Sequence, residues 1–506
     1  MGARPTEFSN PEPTRPASER NSSTLVRLGG DIATKGRETR RRFVTRLIRN
    51  MKDALRQQGI RAEIFRSHDR IRVESPGPPP TDTLSRIFGV QSVSPVEHFP
   101  WNDLDDIVDK ATELFGETVR DRSFAIRARR VGNRERIAIR SNDLKRKLGT
   151  ALLATARCVD LDRPEVEVQI EVMPGRAAFF TERIPGPGGL PLGVEGRAVA
   201  LVSGGFDSAV AVWHMMKRGV SVDFVFCNLG GRTHQLGALR VLQRLAEQWC
   251  AGTRPRFHAI DFDIVAEDLQ KNVTPRYLQV VLKRHMLRAA EHVASSSGAL
   301  AIITGDAMGQ VSSQTLQNMA VVSEATRLPI LRPLVGLNKD EILASARHIG
   351  TYELSKVVGE YCALVPRKPA TSAALEAITA EERRLTPGVL ESAFQEMSTF
   401  DLGQLDLDSL EVPGLEVDAI EPDQTVLDLR SRAAFDSWHH PGALFLEFAH
   451  ALRAYPNFSR DSRYLVYCEF GLKSAHLVEL MRKEGFDAVH FRGGVPALLR
   501  WHGERN

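Results

Sequence analysis

A chain of 506 residues, 42% apolar and 26% charged, is too long for one hydrophobic core, because single cores stop growing near ~250–300 residues, and its balance excludes a wholly disordered or fibrous protein. No apolar run approaches the ~20 residues of a membrane span and no signal-peptide core follows Met1, so the expectation is a cytoplasmic protein, without a membrane partner, of about three to four domains. Cys158, Cys227, Cys250, Cys362 and Cys468 form no CxxC pair, which argues against an iron–sulfur cluster, a zinc site or a disulfide framework and leaves single-thiol chemistry.

Residues 1–23 are rich in Pro, Ser, Glu and Arg without periodicity and read as a disordered tail. Between 24 and 78, a strand at Leu25–Leu28, an amphipathic helix marked by Phe43, Leu47, Met51, Ala54 and Leu55, and a hairpin of 62–65 with 71–73 predict a small α+β domain, broken by Gly77-Pro78-Pro79-Pro80. A second such unit spans 79–183, with a helix over 104–114 and strands over 124–129 and 166–172. From Arg122 to Lys147 ten basic residues face two acidic ones, Glu135 and Asp143. This asymmetry suggests a polyanion partner, with a solvated basic face as the plainer alternative. Residues 184–196, heavy in Gly and Pro, read as a linker.

From 197 to 380 the period changes. Strands over 199–202, 222–226, 256–261 and 299–304 alternate with helical stretches, the signature of a doubly wound parallel sheet. Residues 381–424 read as an acidic linker, with eight acidic residues and no Lys or Arg between Asp401 and Asp423. A last α/β unit covers 425–506.

Two loops carry chemistry. Ser203-Gly204-Gly205-Phe206-Asp207-Ser208 follows the first strand of the doubly wound domain and opens a helix. Paired glycines clear side chains away from a phosphate, helix-terminal N–H groups bind it, and Ser203 and Ser208 add hydroxyl donors. The turn has no lysine, so a GxxxxGK[ST] kinase or GTPase loop is excluded; a simple tight turn is the other reading. In the last unit a buried strand delivers Cys468 onto the loop Cys468-Glu-Phe-Gly-Leu-Lys-Ser474, at a helix N-terminus that favours a thiolate or persulfide. A buried packing cysteine is the alternative there.

The pattern SGGxDS resembles the pyrophosphate loop of the ATP pyrophosphatases. The strand with Asp428 and Arg430, the His440-Pro-Gly-Ala443 turn, the CxxGxxS loop and Arg492-Gly493-Gly494 resemble a rhodanese domain, although Glu469 and Lys473 stand where rhodaneses often carry arginine. That departure weakens a thiosulfate donor and leaves a protein persulfide donor untouched. The combination resembles the tRNA 4-thiouridine synthetases from about Leu25 to Trp501, with further agreement at Thr304–Thr315, at Leu331-Arg-Pro-Leu334 with Lys339, and at Glu360-Tyr-Cys362.

The resemblance implies a ferredoxin-like domain, a tRNA-gripping THUMP domain, an ATP pyrophosphatase domain and a rhodanese domain. It implies Leu201, Val202, Lys283, Gly305 and Gln314 as ATP contacts beside Ser203, Gly204, Gly205 and Ser208, Asp207 and Lys339 in activation, Cys468 as persulfide carrier and Cys362 as its disulfide partner. Arg127, Arg129, Arg130, Arg134, Arg136, Lys145, Arg146 and Lys147 would meet tRNA phosphates, a salt-dependent contact that reads shape more than bases because aromatics are sparse there. ATP and Mg2+ are the implied cofactors. A cysteine desulfurase, a thiol reductant, a sulfur-carrier protein of thiamine synthesis and a second copy of the chain are the implied partners. On this reading ATP adenylates O4 of a tRNA uridine, expected at position 8. Asp207 holds the metal or positions that oxygen, and the acidic linker lets the rhodanese domain swing. Cys158, Cys227 and Cys250 read as packing residues. Competing readings are another pyrophosphatase-class enzyme (a 2-thiouridylase or an amide ligase), a sulfur carrier for thiamine synthesis with an idle nucleotide site, and an RNA-binding scaffold.

Overall fold

The computed structural model describes residues 21–66, 70–131, 137–358, 368–410 and 414–503. They form two compact units, divided between Pro191 and Leu192.

The first unit is built on one nine-stranded sheet. Its strands are β1 (Asn21–Leu28), β2 (Glu63–Arg66), β3 (Arg70–Pro76), β4 (Val90–Pro100), β5 (Ser123–Arg130), β6 (Cys158–Val159), β7 (Val166–Met173), β8 (Arg176–Phe180) and β9 (Ile184–Pro185). The order is β2-β3-β1-β4-β8-β7-β5-β6, with β9 on β4. Helix α1 (Arg37–Gln57) lays Phe43, Leu47, Met51 and Leu55 into the core at helical spacing. Helices α2 (Leu104–Phe115) and α3 (Ser141–Leu153) cover the β5–β8 portion with Ile107, Ala111, Leu144 and Leu148. β1 begins at residue 21, inside the segment expected to be a tail. Asn21 to Thr24 are polar and carry no hydropathy signal, but their backbone pairs with β3, and Ser23 and Thr24 pair with β4 as well.

The second unit holds two parallel sheets. In the first, β10 (Arg197–Leu201), β11 (Ser221–Asn228), β12 (Arg256–Asp261), β13 (Ile302–Ile303), β14 (Ile330–Leu331) and β15 (Ser398–Asp401) run in the order β14-β13-β10-β11-β12-β15. All pairs are parallel except β15, which is antiparallel to β12. Val199, Val225, Ile260 and Ile302 are fully buried under the helices, each contributing ~1.5–3 kcal/mol of transfer free energy. In the second sheet, β16 (Glu416–Val417), β17 (Gln424–Asp428), β18 (Leu444–Phe445), β19 (Arg463–Tyr467) and β20 (Asp487–Phe491) run β16-β20-β19-β17-β18, all parallel.

The acidic stretch 381–424 is structured at both ends instead of forming a free tether. A helix at Val389–Gln395 places Leu390 and Ala393 in the first core, β15 extends the first sheet, and β16 joins the second. The apolar residues that do this are spaced among carboxylates, so composition masked them. Cys158 is a second difference: on the two-residue edge strand β6 its side chain is exposed, whereas Cys227 and Cys250 are buried. Among the described residues no helix is long and apolar enough to cross a membrane.

Candidate active site: a phosphate loop and a cysteine loop

Strand order reverses at β10, which has its sequence neighbour β11 on one side and β13 on the other. In such sheets the crevice beyond the carboxyl ends at this point is where ligands bind. The chain leaves β10, turns through Ser203–Gly205 and enters α4 (Phe206–Lys217). Gly204 has φ 78°, and a Cβ there would lie 2.8 Å from the Ala238 Cα of α5 (Gly231–Trp249), so only glycine fits. Ser208 Oγ donates to the Gly205 carbonyl at 3.1 Å, and His234 Nε2 donates to the Ser203 carbonyl at 3.2 Å. Burial drives the His234 pKa down to about 4, against the opposing effect of that hydrogen bond, so the ring is neutral at pH 7.

A cavity of about 250 Å3 opens at the crevice. It is lined by Leu201, Val202, Ser203, Asp207, Ser208, Lys283, Gly305 and Gln314, all expected from the sequence, and also by His234, Thr304, Asp306 and Arg332. Asp306 is its electrostatic centre. It accepts from Lys283 Nζ at 2.9 Å, Thr304 Oγ1 at 2.8 Å, Gln314 Nε2 at 3.3 Å and Arg332 Nε at 3.4 Å. Burial alone would raise its pKa, but the Lys283 charge and these hydrogen bonds outweigh it and hold the carboxyl at about 2. Lys283, in α6 (Leu278–Ser297), thus already faces the cavity with a carboxylate where a phosphate could compete for it. Gly305 serves close packing, since a Cβ would lie 2.9 Å from the backbone of Asp207 and Ser208.

Asp207 sits in the first turn of α4. It accepts from Lys339 Nζ at 3.0 Å and Gln310 Nε2 at 2.9 Å. Lys339 is held at the start of α7 (Lys339–His348) by a capping box of Asn338 and Glu341. Asp306 and Arg332 lay within the segments singled out in the sequence, Thr304–Thr315 and Leu331–Leu334, but their type did not separate them from neighbours. Gln310 lay in the first of these segments too, likewise not singled out, whereas His234 had no local signal at all.

The second sheet presents Cys468 directly after β19, before α8 (Leu472–Lys483). Its Sγ accepts from Gly471 N at 3.2 Å and faces Ser474 Oγ at 3.5 Å, and the residue is only 3% exposed. Gly471 turns the loop at φ 97°. A Cβ on Gly494 would strike the carbonyls of Cys468 and Glu469, so the Gly493-Gly494 pair backs the cysteine loop closely. Asp428 and Arg430 form a buried ion pair at 2.7 Å, and the Tyr467 hydroxyl accepts from His440 N at 3.2 Å, which anchors the HPGA turn. Cys362 lies outside the described residues.

The two loops reach one chamber, the cysteine loop through Lys473, while Cys468 itself is buried and is not among the lining residues. A chamber of about 800 Å3 is lined on one side by Ser203, Gly205, Asp207, Lys283, Gln310 and Lys339, and on the other by Leu429, Ser431, Glu447, Phe448 and Lys473.

In the first unit, the basic segment is partly neutralised by acids, most of which lie outside it in sequence. Arg127 pairs with Glu167 at 3.0 Å and Arg129 with Glu171 at 2.7 Å, both across β5–β7. Arg146 pairs with Asp143 at 3.2 Å, and Lys147 pairs with Asp105. Lys145, Arg146 and Lys147 are exposed on α3 and Arg130 is half-buried; Arg134 and Arg136 lie outside the described residues. A count along the chain overstated the free positive charge because β7 and the neighbouring helix supply carboxylates of their own.

The fold and site define a multidomain enzyme class: a doubly wound nucleotide-site domain joined to a rhodanese-like domain, preceded by ferredoxin-like and THUMP domains. Family models match for the ThiI ferredoxin-like domain (residues 23–94), the THUMP domain (102–182), the thiamine biosynthesis protein ThiI (193–386) and the rhodanese-like domain (416–500). A tRNA sulfurtransferase of Pyrobaculum aerophilum is 38% identical over 411 residues, 81% of this chain and 84% of the relative, and one of Desulfurococcus amylolyticus is 36% identical over 475 residues, 93% and 97%. The crystal structure of a 4-thiouridine synthetase–RNA complex with bound ATP is similar with a TM-score of 0.66 and 29% identity, over 75% of this chain and 99% of that one. This chain belongs to the tRNA sulfurtransferase family.

Proposed function

We propose that this protein is an ATP- and persulfide-dependent tRNA uracil 4-sulfurtransferase acting at uridine 8. The observation that carries this reading is the shared chamber, lined by Asp207 and Lys339 of the phosphate-loop domain and by Lys473 from the cysteine loop's helix. Relatives named tRNA sulfurtransferase and a solved relative holding RNA and ATP support the substrate pair.

Uridine O4 attacks the α-phosphorus of ATP, the α–β phosphoanhydride bond breaks, and pyrophosphate leaves onto the Ser203–Ser208 loop and Lys283. AMP on O4 then makes the oxygen a leaving group. Asp207, held by Lys339 and Gln310, positions the reacting uridine. Asp207 and Asp306, the carboxylates lining the smaller cavity, fit a magnesium ion carried by the triphosphate, which would supply charge neutralisation. Cys468 receives sulfane sulfur from a cysteine desulfurase, and the cradle of Gly471 N and Ser474 Oγ suits the anion. The persulfide's terminal sulfur attacks C4 and expels AMP. The Cys362 thiolate then attacks Cys468 Sγ, releasing 4-thiouridine and forming a Cys362–Cys468 disulfide. Alternatively Cys362 attacks first and frees hydrosulfide, which attacks C4. Both routes end in the same disulfide, and two electrons from a thiol reductant reset it.

The test is a reconstituted assay with unmodified tRNA, ATP-Mg, cysteine and a desulfurase, following 4-thiouridine absorbance in the wild type, Asp207→Ala, Cys362→Ser and Cys468→Ser. Product in the wild type alone is expected. An absence of product from the wild type, with sulfur still reaching Cys468, would leave a sulfur carrier. The thiamine-synthesis description of the matching family model favours sulfur supply to the thiamine thiazole as a second role, which would need Cys468 but not Asp207.

A further inference from the structure

Helix α8 carries two faces with different tasks. Its N-terminal end cradles Cys468 through Gly471 and Ser474. Lys473, His476 and Glu479 stand at i, i+3 and i+6, on one other face; His476 and Glu479 meet the phosphate-loop domain, and Lys473 lines the chamber between.

Glu479 makes the strongest contact. Its carboxylate accepts from Arg232 N at 2.8 Å, from Thr233 N at 2.8 Å and from Thr233 Oγ1. The two N–H groups are the second and third of α5, whose own N-cap, Gly230, supplies no side-chain acceptor. A carboxylate at a helix N-terminus is favoured by both the unpaired N–H groups and the helix dipole. Gly231, at φ 71°, leaves room for this approach, since a Cβ there would strike the Glu479 carboxylate and crowd His476 Nδ1 at 3.0 Å. His476 is 95% buried against this surface, being 5% exposed. Around it, Arg232 Nε donates to the Leu410 carbonyl at 3.1 Å and Gln243 Nε2 to the Leu405 carbonyl at 2.8 Å, so the connecting segment is bound to the same helix. Lys473, at the other end of the ridge, lines the shared chamber with Asp207 and Lys339.

The contact also reaches the phosphate loop. His234, next in the chain after Thr233, is the residue whose ring donates to the Ser203 carbonyl. One turn of α5 therefore touches Glu479 on one side and the phosphate loop on the other.

We propose that Glu479 is a positioning residue for sulfur delivery: it seats the cysteine-bearing domain on the first turn of α5, setting Lys473 over the chamber where the activated uridine sits. It rests on the functional reading above. In this arrangement the domain is held in register with the nucleotide site during transfer, and it must release for Cys468 to be recharged by its donor. Loading of Cys468 from the desulfurase does not require the latch, whereas transfer to tRNA does.

The test uses the full-length protein with Glu479→Lys and Glu479→Gln, in three readouts. Radiolabelled sulfur from cysteine reports loading of Cys468, release of pyrophosphate with tRNA reports uridine activation, and 4-thiouridine formation reports delivery. Small-angle scattering follows docking. For Glu479→Lys we expect wild-type loading, wild-type KM for ATP, a larger radius of gyration, and thiolation slowed roughly 10²-fold, the scale set by misplacing reacting groups. Glu479→Gln, which keeps one acceptor oxygen, should fall between. Thiolation at the wild-type rate in Glu479→Lys, or a slow rate with an unchanged radius of gyration, would overturn the latch. Loss of Cys468 loading in Glu479→Lys passes the decision to Glu479→Gln, where equal losses of loading and thiolation would likewise overturn it. A wild type that loads Cys468 yet never thiolates tRNA would instead sink the functional reading, and the scattering comparison would still decide whether Glu479 docks the domain.

Discussion

The phosphate loop and the cysteine loop use one device, a parallel strand ending in a glycine-bearing turn that opens a helix, and they fill it in opposite ways. Around Ser203–Ser208 the charged groups are paired with one another: Lys339 with Asp207 and Lys283 with Asp306, at 3.0 and 2.9 Å. Around Cys468, among the described residues, the polar partners of the sulfur are a backbone N–H and a hydroxyl. The first arrangement suits a ligand of high charge, because each ion pair already in place can be exchanged for one with phosphate without leaving a buried charge bare. The second suits a small anion formed and consumed on a single atom.

The largest effects should come from removing the reacting or charge-bearing atom of either loop. Cys468→Ser should bring thiolation to background while ATP-dependent pyrophosphate release persists. Asp207→Asn or Lys339→Ala should do the reverse, leaving Cys468 loading intact and slowing uridine activation by roughly 10²-fold or more, the scale of one preorganised electrostatic contact. If either change impaired both half-reactions equally, the division of labour between the loops would be wrong. Gly204→Ala should follow, destabilising the second unit by about 1–3 kcal/mol, because it combines a positive φ with a contact against Ala238 that cannot relax; urea titration reads it. The same substitution at Gly442, where φ is positive but nothing lies within 4 Å of the added Cβ, should cost less.

Acid should act on both loops at their common boundary. Burial lowers the pKa values of His234 and His476 from 6.5 to about 4. Between pH 4 and 6.5 the folded form therefore binds fewer protons than the unfolded chain, so stability is complete above 6.5 and falls as pH drops, by up to about 1.4 kcal/mol per pH unit per histidine. Asp263 opposes this: burial first, then Asp261, raises its pKa to about 6, so its contribution weakens as pH rises from about 4 through 6. The two histidines outweigh it, and urea midpoints should be lower at pH 5 than at pH 7. Equal midpoints would contradict the buried, neutral histidines. The smallest effect belongs to the first unit. Lys145→Ala should weaken tRNA binding and reduce its log–log salt slope by roughly 0.7–0.9, whereas Arg127→Ala and Arg146→Ala, whose partners are Glu167 and Asp143, should reduce it less.

The contrast between the loops also explains what could be read from the sequence. Both motifs are local, six or seven residues set between an apolar strand and a helix, so their geometry follows from chain order. The doubly wound arrangement was legible for the same reason, through strands alternating with helices. What escaped depends on distance along the chain. Glu479 meets Thr233 across 246 residues, Gln310 meets Asp207 across 103, and Glu171 neutralises Arg129 across 42. β14 is too short to show a period, and β15 hides in an acidic stretch because its edge position needs only a ladder with β12. Cys362 and the last stretch before 368 lie outside the described residues, so the partner thiol rests on its motif alone.

The measurement that tests the central claim most directly is a single turnover with protein whose Cys468 has been loaded with labelled persulfide and freed of desulfurase, mixed with unmodified tRNA with and without ATP-Mg. The account predicts up to one labelled 4-thiouridine per loaded Cys468, formed only with ATP, together with a Cys362–Cys468 disulfide. Label reaching tRNA without ATP, or 4-thiouridine made while the label stays on Cys468, would contradict it.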